Sequence, residues 1–315
     1  MNIVLLESLG ISDGKLNEYA EQVRSKGHAF SAFQKNTDEK VMIERACNAD
    51  VIMIANMPLT ANVINACPNL KFIDIAFTGF DHVALDAAKA KGVKVSNAAG
   101  YATEAVAELA ISMMISLLRN VPQVEIKCRD GGTKEGLVGR EMRGKTLGIV
   151  GVGAIGRRVA ELAKVFGCKV VGYEKYINGN DSPYVEYVSL DDLLASSDIV
   201  SIHCPLNNET KGLFGKQTIQ KMRQSSILLN LARGPIVDSV ALAEALNAGY
   251  LHGAGIDVFE KEPPIDPTHP LLNCRNTLVT PHIAFASEES MEARAKIVFD
   301  NIWDWSNGKQ SNIVT

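Results

Sequence analysis

The chain of 315 residues is 46% hydrophobic and 22% charged, with 25 Gly and 11 Pro, which excludes disorder, a collagen-like repeat or a coiled coil as readings of the whole. At roughly 150 residues per domain the length implies about two domains, each able to bury a core without metal or disulfide staples. A net charge of −4, from 32 Lys and Arg against 36 Asp and Glu, argues against a broad surface for nucleic acid or anionic membrane, but sets no limit on a small anionic substrate.

The first hundred residues alternate short apolar runs with helix-like segments. Segments 3–6, 50–54, 72–75 and 93–95 are Ile- and Val-rich and read as strands of a mainly buried sheet. Between them, 15–25, 38–47, 60–66 and 83–90 carry helical spacing, with Thr37 or Asp38 ahead of one and Asp81 ahead of another as candidate caps. Such alternation predicts a parallel α/β unit. A long helix over 101–120 follows, small or apolar on most of its circumference, which predicts burial between domains or between subunits. Residues 130–139, rich in Gly, read as an exposed loop. The alternation then restarts: strands over 146–150, 169–173, 199–203, 227–231 and 255–258, helices over 154–166, 190–196 and 239–248. A helix over 287–307 closes the chain, with Trp303 and Trp305 near its end.

The six cysteines (Cys47, Cys67, Cys128, Cys168, Cys204 and Cys274) form no C-x-x-C pair and no cluster with the histidines. They read as buried or half-buried free thiols of a reducing compartment, and no metal site is expected. The opening MNIVLLESLG has no basic leader, its apolar run is too short for a signal peptide, and no stretch reaches the roughly 18 apolar residues of a membrane helix. The expectation is a cytoplasmic protein.

Gly151, Gly153 and Gly156 have G-x-G-x-x-G spacing between the strand TLGIV and a helix starting near Ala154. Glycines permit the tight turn, the approach of backbone to a pyrophosphate, and close helix–strand packing. The helix N-terminus adds N–H groups and a positive dipole end. Glu174 ends the next strand, eighteen residues after Gly156, where an acid binds the adenosine ribose hydroxyls. A carboxylate there repels a 2′-phosphate, favouring NAD(H) over NADP(H), although Lys175 beside it pulls the other way.

Hydride transfer to a carbonyl needs an acid/base at the oxygen and a cation that holds and polarises the substrate. Arg233, in NLARGP where a strand runs out, suits a carboxylate bidentately, though an ordinary surface ion pair fits it as well. His282, in LVTPHI after a short apolar strand, is a candidate acid/base, although a lone histidine is usually structural or solvated. Glu262, in DVFEKEPP, could orient that imidazole, with the double proline at 263–264 fixing the loop's path. Spacing alone does not show that these side chains meet.

At these residues the chain resembles the D-isomer-specific 2-hydroxyacid dehydrogenase family. The resemblance runs from FTGFDHV to the final helix and rests on GKTLGIVGVGAIG, NLARGPIVD, GAGIDVFEKEPP and TPHIAFAS, in that order. It implies that Arg233 holds the substrate carboxylate and polarises the keto group. His282 is then the acid/base, and Glu262 its orienting partner. Glu260 is left as a solvated loop residue. Cofactor contacts are implied for Thr103, Gly151, Gly153, Ala154, Ile155, Gly156, Glu174, Cys204, Pro205, Thr210, Leu231, Ala232, Arg233, Asp257 and His282. The resemblance sets Asp257 near the nicotinamide carboxamide, and Glu174 stands where the family commonly has aspartate. His203 is given no chemical role.

On the substrate side, Thr78 and Gly79 match a loop whose N–H groups meet the substrate carboxylate, and Asn56 and Met57 match residues that set substrate size, with core packing an equal reading of Met57. Phe285 stands where many relatives have glycine and the glycerate/hydroxypyruvate type often has an aromatic, which leans toward hydroxypyruvate or glyoxylate. The implied fold is α/β with two doubly wound parallel sheets: a discontinuous, flavodoxin-like substrate domain of residues 1–98 and 286–315, and a Rossmann NAD-binding domain of residues 99–285. Relatives usually form a homodimer through the cofactor domain, and no nucleic-acid or membrane partner is expected. The runner-up activity is 3-phosphoglycerate dehydrogenase, against which the chain leaves no segment for a regulatory domain and residues 56–60 offer no cation for a phosphate. In another class, an NAD(H)-sensing corepressor-like protein on this fold is the alternative, against which the chain begins and ends almost at the fold's edges.

Overall fold

The computed structural model describes residues 1–175, 182–262 and 264–315, and the chain divides into two compact units, Met1–Ala102 with Ala286–Thr315, and Thr103–Phe285.

In the first unit the chain runs β1 (Asn2–Leu5), α1 (Asp13–Ser25), β2 (Ala29–Ala32), α2 (Glu39–Ala46), β3 (Val51–Ile54), α3 (Ala61–Asn65), β4 (Phe72–Ile75), α4 (Leu85–Ala90) and β5 (Lys94–Asn97). The five strands pair in parallel in the order β2-β1-β3-β4-β5. Every residue of β3 and β4 is buried, as expected of strands covered on both faces. The order reverses between β1 and β3, so the loops leaving these two strands flank the unit's switch point. Ser12, Asp38 and Thr60 cap α1, α2 and α3 through their side-chain oxygens. Two expectations fail locally. Asp81 does not cap α4, whose N-cap is Ala84 without a side-chain bond. Strand β2, of which only Phe30 is buried, was invisible as an apolar run because it is an edge strand with little to bury.

The second unit runs α5 (Thr103–Leu118), α6 (Val121–Arg129), β6 (Thr146–Val150), α7 (Ala154–Val165), β7 (Lys169–Tyr173), β8 (Glu186–Tyr187), α8 (Leu190–Ser196), β9 (Ile199–Ile202), α9 (Lys216–Lys221), β10 (Ile227–Asn230), α10 (Ser239–Asn247), β11 (Gly253–Ile256) and β12 (Thr277–Val279). Its strands pair in parallel in the order β12-β11-β10-β9-β6-β7-β8. This is the doubly wound dinucleotide-binding order with a further strand, its reversal lying between β6 and β9. Helix α5 packs on α7, β10 and β11 of its own unit, with Glu104, Glu108 and Ser112 forming its exposed stripe. Its own sheet and α7 account for much of its apolar circumference. Helix α6 carries no buried residue, so it left no apolar periodicity to read.

The chain returns to the first unit as α11 (Glu288–Ser306), started by a capping box between Ser287 and Ser290. Phe299 stacks on Tyr19 at 4.3 Å and Trp305 on Phe72 at 4.8 Å. Asn301 Nδ2 donates to Asp74 Oδ1 and to the Asn97 carbonyl, both at 3.0 Å. Desolvation in this fully buried place holds the Asp74 carboxyl well above its ordinary range. Among the described residues no single helix is long and apolar enough to cross a membrane; α5 and α6 together pass by length and composition but are bent by 61°. The cysteines are free, and Cys128 is exposed rather than buried or half-buried.

Candidate active site

The glycine turn sits at the carboxyl end of β6, beside the reversal in strand order. Gly151 has φ +95°, and a Cβ there would lie 2.4 Å from the Cys204 nitrogen, so neither the conformation nor the space admits a side chain. Gly156 lies in the first turn of α7, where a Cβ would stand 2.2 Å from the Gly151 carbonyl oxygen. Gly153 is different: it is the N-cap of α7, no side chain caps the helix there, and an added Cβ would meet nothing within 4 Å. Open backbone at an uncapped helix N-terminus, with Gly153 and Ala154 exposed and Ile155 half-buried, fits the pyrophosphate of a dinucleotide.

Glu174, at the end of β7, accepts a hydrogen bond from the Val152 N–H at 2.9 Å. The carboxylate thus closes the turn and keeps acceptor capacity for ribose hydroxyls. Lys175, the residue that pointed toward NADP, forms an ion pair with Glu209 at 2.6 Å. After β9, the His203 ring accepts or donates with Ser201 Oγ at 2.8 Å, and enclosure by the protein pulls its imidazole down to about 4. Such a ring stays neutral near pH 7. Burial pushes the Cys204 thiol up to about 11. Pro205 is exposed, and its carbonyl accepts from Thr210 Oγ1 at 2.6 Å, so Thr210 shapes this loop. Thr103 stands half-buried at the first residue of α5.

Arg233 follows β10 through a bend at Leu231 and Ala232 that one side chain fixes. Asn230, 1% exposed, donates from Nδ2 to the Arg233 carbonyl at 2.9 Å and accepts from the Ala232 N–H at 3.1 Å. Arg233 Nη1 also donates to the Ala232 carbonyl at 2.9 Å. The loop then presses on its neighbour: a Cβ at Gly234 would lie 2.1 Å from the Phe259 carbonyl carbon.

His282 and Glu262 do meet. Glu262 Oε2 bonds His282 Nδ1, while Glu262 Oε1 accepts from the Phe259 N–H at 2.6 Å. Both side chains are half-buried, at 15% and 20% exposure, so the imidazole is fixed but reachable. Pro263, half of the double proline, lies outside the described residues. His282 has φ +56°, an uncommon conformation for a residue with a side chain, and the loop is held there from β11. Asp257, wholly buried, accepts from Thr280 Oγ1 at 2.6 Å and the Ile283 N–H at 2.8 Å on one oxygen, and from the Ala284 N–H at 2.9 Å on the other. Its backbone bonds the His282 N–H at 2.7 Å and the Asn230 carbonyl at 3.0 Å. Asp257 thereby ties the Arg233 and His282 loops together, a scaffolding task that the spacing did not reveal. Burial raises its carboxyl above the ordinary range, against the pull of those donors. Phe285 stands edge-on to His282, ring centroids 5.3 Å apart. Glu260 is not merely solvated: it accepts from Ser239 Oγ at 2.6 Å and bonds His269 Nε2 at 3.0 Å.

In the first unit, Thr78 is exposed and Gly79 half-buried after β4, with the Thr78 carbonyl held by Asn97 Nδ2 at 2.7 Å. Asn56 is half-buried after β3, while Met57 is 1% exposed, which decides Met57 for core packing. Two organisers of the second unit escaped sequence reasoning, Asn230 and Thr280; a polar residue at the end of an otherwise apolar strand was the available signal for the first.

The family model for the D-isomer specific 2-hydroxyacid dehydrogenase NAD binding domain matches residues 111–284. A hydroxypyruvate reductase of Blautia hydrogenotrophica is 32% identical over 100% of this chain and 99% of its own. A glyoxylate reductase of Korarchaeum cryptofilum is 37% identical over 86% of this chain and 84% of its own. Among solved structures, an acyclic imino acid reductase in complex with NADPH and D-Arg superposes with TM-score 0.91 at 26% identity, each chain covered completely. The turn, its carboxylate and the two loops beyond β10 and β12 thus coincide with a family match over more than half the chain, and the chain belongs to the D-isomer specific 2-hydroxyacid dehydrogenase family, NAD-dependent oxidoreductases of 2-hydroxy acids.

Proposed function

We propose that this chain reduces a short 2-keto acid, hydroxypyruvate or glyoxylate, to the D-2-hydroxy acid with NADH, and that Arg233, Glu262 and His282 carry the chemistry. The observation that supports this most is the Glu262–His282 pair on the catalytic edge of a dinucleotide-binding sheet. Residues Thr103, Gly151, Gly153, Ala154, Ile155, Gly156, Glu174, Cys204, Pro205, Thr210, Leu231, Ala232, Arg233, Asp257 and His282 hold the cofactor, and Thr78, Gly79, Asn56 and Arg233 the substrate. When bound, NADH supplies the hydride that adds to the keto carbon. Arg233 grips the substrate carboxylate in a bidentate pair and draws electron density toward the keto oxygen. With Nδ1 bonded to Glu262, His282 delivers its proton to that oxygen from Nε2, and Glu262 stabilises the imidazolium from which the proton leaves. In the reverse direction His282 takes the hydroxyl proton. Asp257 acts on this chemistry through the His282 loop.

In this reading residues 1–98 with 286–315 form the substrate domain and 99–285 the NAD-binding domain. The active species is a cytoplasmic homodimer whose contact involves the cofactor domain, with neither nucleic acid nor membrane as partner. Exposed Val121, Ile126 and Val138 on and after α6 support a contact there. NAD(H) is favoured over NADP(H) by Glu174, whose charge opposes a 2′-phosphate.

Steady-state rates with NADH against hydroxypyruvate, glyoxylate, pyruvate, branched 2-keto acids and phosphohydroxypyruvate test the substrate. The highest kcat/KM is expected for hydroxypyruvate or glyoxylate; preference for the phosphorylated acid overturns the assignment. His282→Ala and Arg233→Ala are each expected to lower turnover by about 10²–10⁴-fold while NADH binding, read by fluorescence, persists. Near-wild-type turnover of His282→Ala removes it from the acid/base role.

A further inference from the structure

One buried carboxylate that the mechanism leaves unused is Glu7, two residues beyond β1. Its side chain is 7% exposed, and one oxygen, Oε2, accepts three successive backbone N–H groups: Ala55 at 3.1 Å, Asn56 at 3.0 Å and Met57 at 3.0 Å. Three consecutive amides turned on one oxygen mean that the loop after β3 is curled around the anion, the concave arrangement by which backbone binds negative charge. The other oxygen, Oε1, pairs with Lys35 Nζ at 3.1 Å, and the same ammonium donates to Asn56 Oδ1 at 3.1 Å. Backbone and side chain of Asn56 are therefore both referred to Glu7, one directly and one through Lys35. Arg294, buried on α11, adds positive potential toward Glu7.

We propose that Glu7 is a positioning residue for substrate selectivity: it shapes the Asn56–Met57 loop, with Lys35 setting the Asn56 amide, so that a short 2-keto acid is preferred over a branched one. The proposal rests on the reading that this loop borders the substrate. A carboxylate is required because its two oxygens both accept. A glutamine turned with its oxygen to the three amides points its NH2 at the Lys35 ammonium, and turned the other way it points donors at donors. Within the second unit Asp257 treats the His282 loop likewise, gathering successive N–H groups of a loop that leaves the adjacent strand.

The experiment measures kcat/KM for hydroxypyruvate and for 2-oxoisovalerate with saturating NADH, in wild type, Glu7→Gln, Lys35→Met and Asn56→Ala. The ratio of the two constants is unaffected by the fraction of folded enzyme, so loss of stability alone does not move it. Glu7→Gln is expected to lower the ratio by about tenfold, Lys35→Met by less, with NADH affinity unchanged in both. An unchanged ratio in Glu7→Gln overturns the proposal; if that variant does not fold, an unchanged ratio in Lys35→Met overturns it instead. If Asn56→Ala moves the ratio and the Glu7 and Lys35 variants do not, only the role of Glu7 falls. If Asn56→Ala also leaves it unmoved, or wild type reduces neither acid, the substrate reading of the loop falls and the proposal with it.

Discussion

The carboxyl edges of the two sheets are built with one device put to different use. A carboxylate just beyond one strand grips the loop that leaves its neighbour: Glu7 after β1 holds the loop after β3, Glu174 after β7 holds the turn after β6, and Asp257 after β11 holds the loop after β12. Parallel strands make this possible, because adjacent strand ends emerge side by side and send free N–H groups into the same region. The grips differ in what balances them. Glu7 is answered by a surface ammonium, Lys35, whose side chain is 42% exposed. Asp257 is answered by two amides and a hydroxyl and is wholly sealed from water. In the proposed mechanism the loop after β12 carries the acid/base and needs the stiffer arrangement, since an error of about 1 Å in a reacting group can cost on the order of 10²-fold in rate.

The sharpest way to break the comparison is Asp257→Asn. Its NH2 would face either the Ala284 amide or the donors on the other oxygen, and kcat is expected to fall by about 100-fold with NADH fluorescence binding retained. An unaltered kcat would show that the His282 loop holds its shape unaided. Next, Gly151→Ala asks whether the turn depends on backbone rather than on Glu174: the left-handed φ and the Cys204 clash are expected to cost about 2 kcal/mol or more in denaturant unfolding, measurable as a lower midpoint. Glu174→Gln keeps the turn's glycines but weakens both its closure and its ribose acceptor. A rise of about tenfold in the NADH dissociation constant is expected, with relative gain for NADPH; unchanged preference between the two cofactors would exclude Glu174 from that choice.

The smallest effect belongs to Asp74, a buried carboxyl that grips no loop. A carboxyl whose folded pKa lies above its unfolded value contributes stability that is complete below the ordinary value of 3.8 and is lost as pH rises toward the folded value. Asp74→Asn keeps an acceptor for Asn301 and removes the ionisation. The variant is expected to be more stable than wild type by about 1 kcal/mol near neutral pH, with a flatter dependence of Tm on pH above 4. A Tm profile parallel to wild type would mean that Asp74 does not titrate with unfolding.

Much of the second unit was legible because each of its signals is local. The strands 146–150 and 169–173 and the helix 190–196 match the observed elements residue for residue, the strands as short apolar runs and the helix behind its Ser189 cap. The glycine turn was legible because at Gly151 and Gly156 only glycine satisfies its geometry, and Glu174 because one strand separates it from that turn. Edge strand β2 and exposed helix α6 were not, since neither buries enough to leave a pattern. Glu262 and His282 illustrate the limit: twenty positions apart, on loops after different strands, they meet only because β11 and β12 are neighbours in parallel.

What the sequence determined by itself is therefore the fold class and family of the chain and the glycine spacing of a dinucleotide-type turn, because these depend on periodicity, on glycine sterics and on motif order. Tertiary structure alone decided how the residues of the candidate site are held. Asn230 fixing the Arg233 bend, Asp257 gathering the His282 loop and Glu7 collecting the amides after β3 join positions distant in sequence. The physical reason is that strand order, and not chain order, chooses which strand ends stand side by side, and a buried carboxylate can be satisfied only by whatever N–H groups that order brings to it.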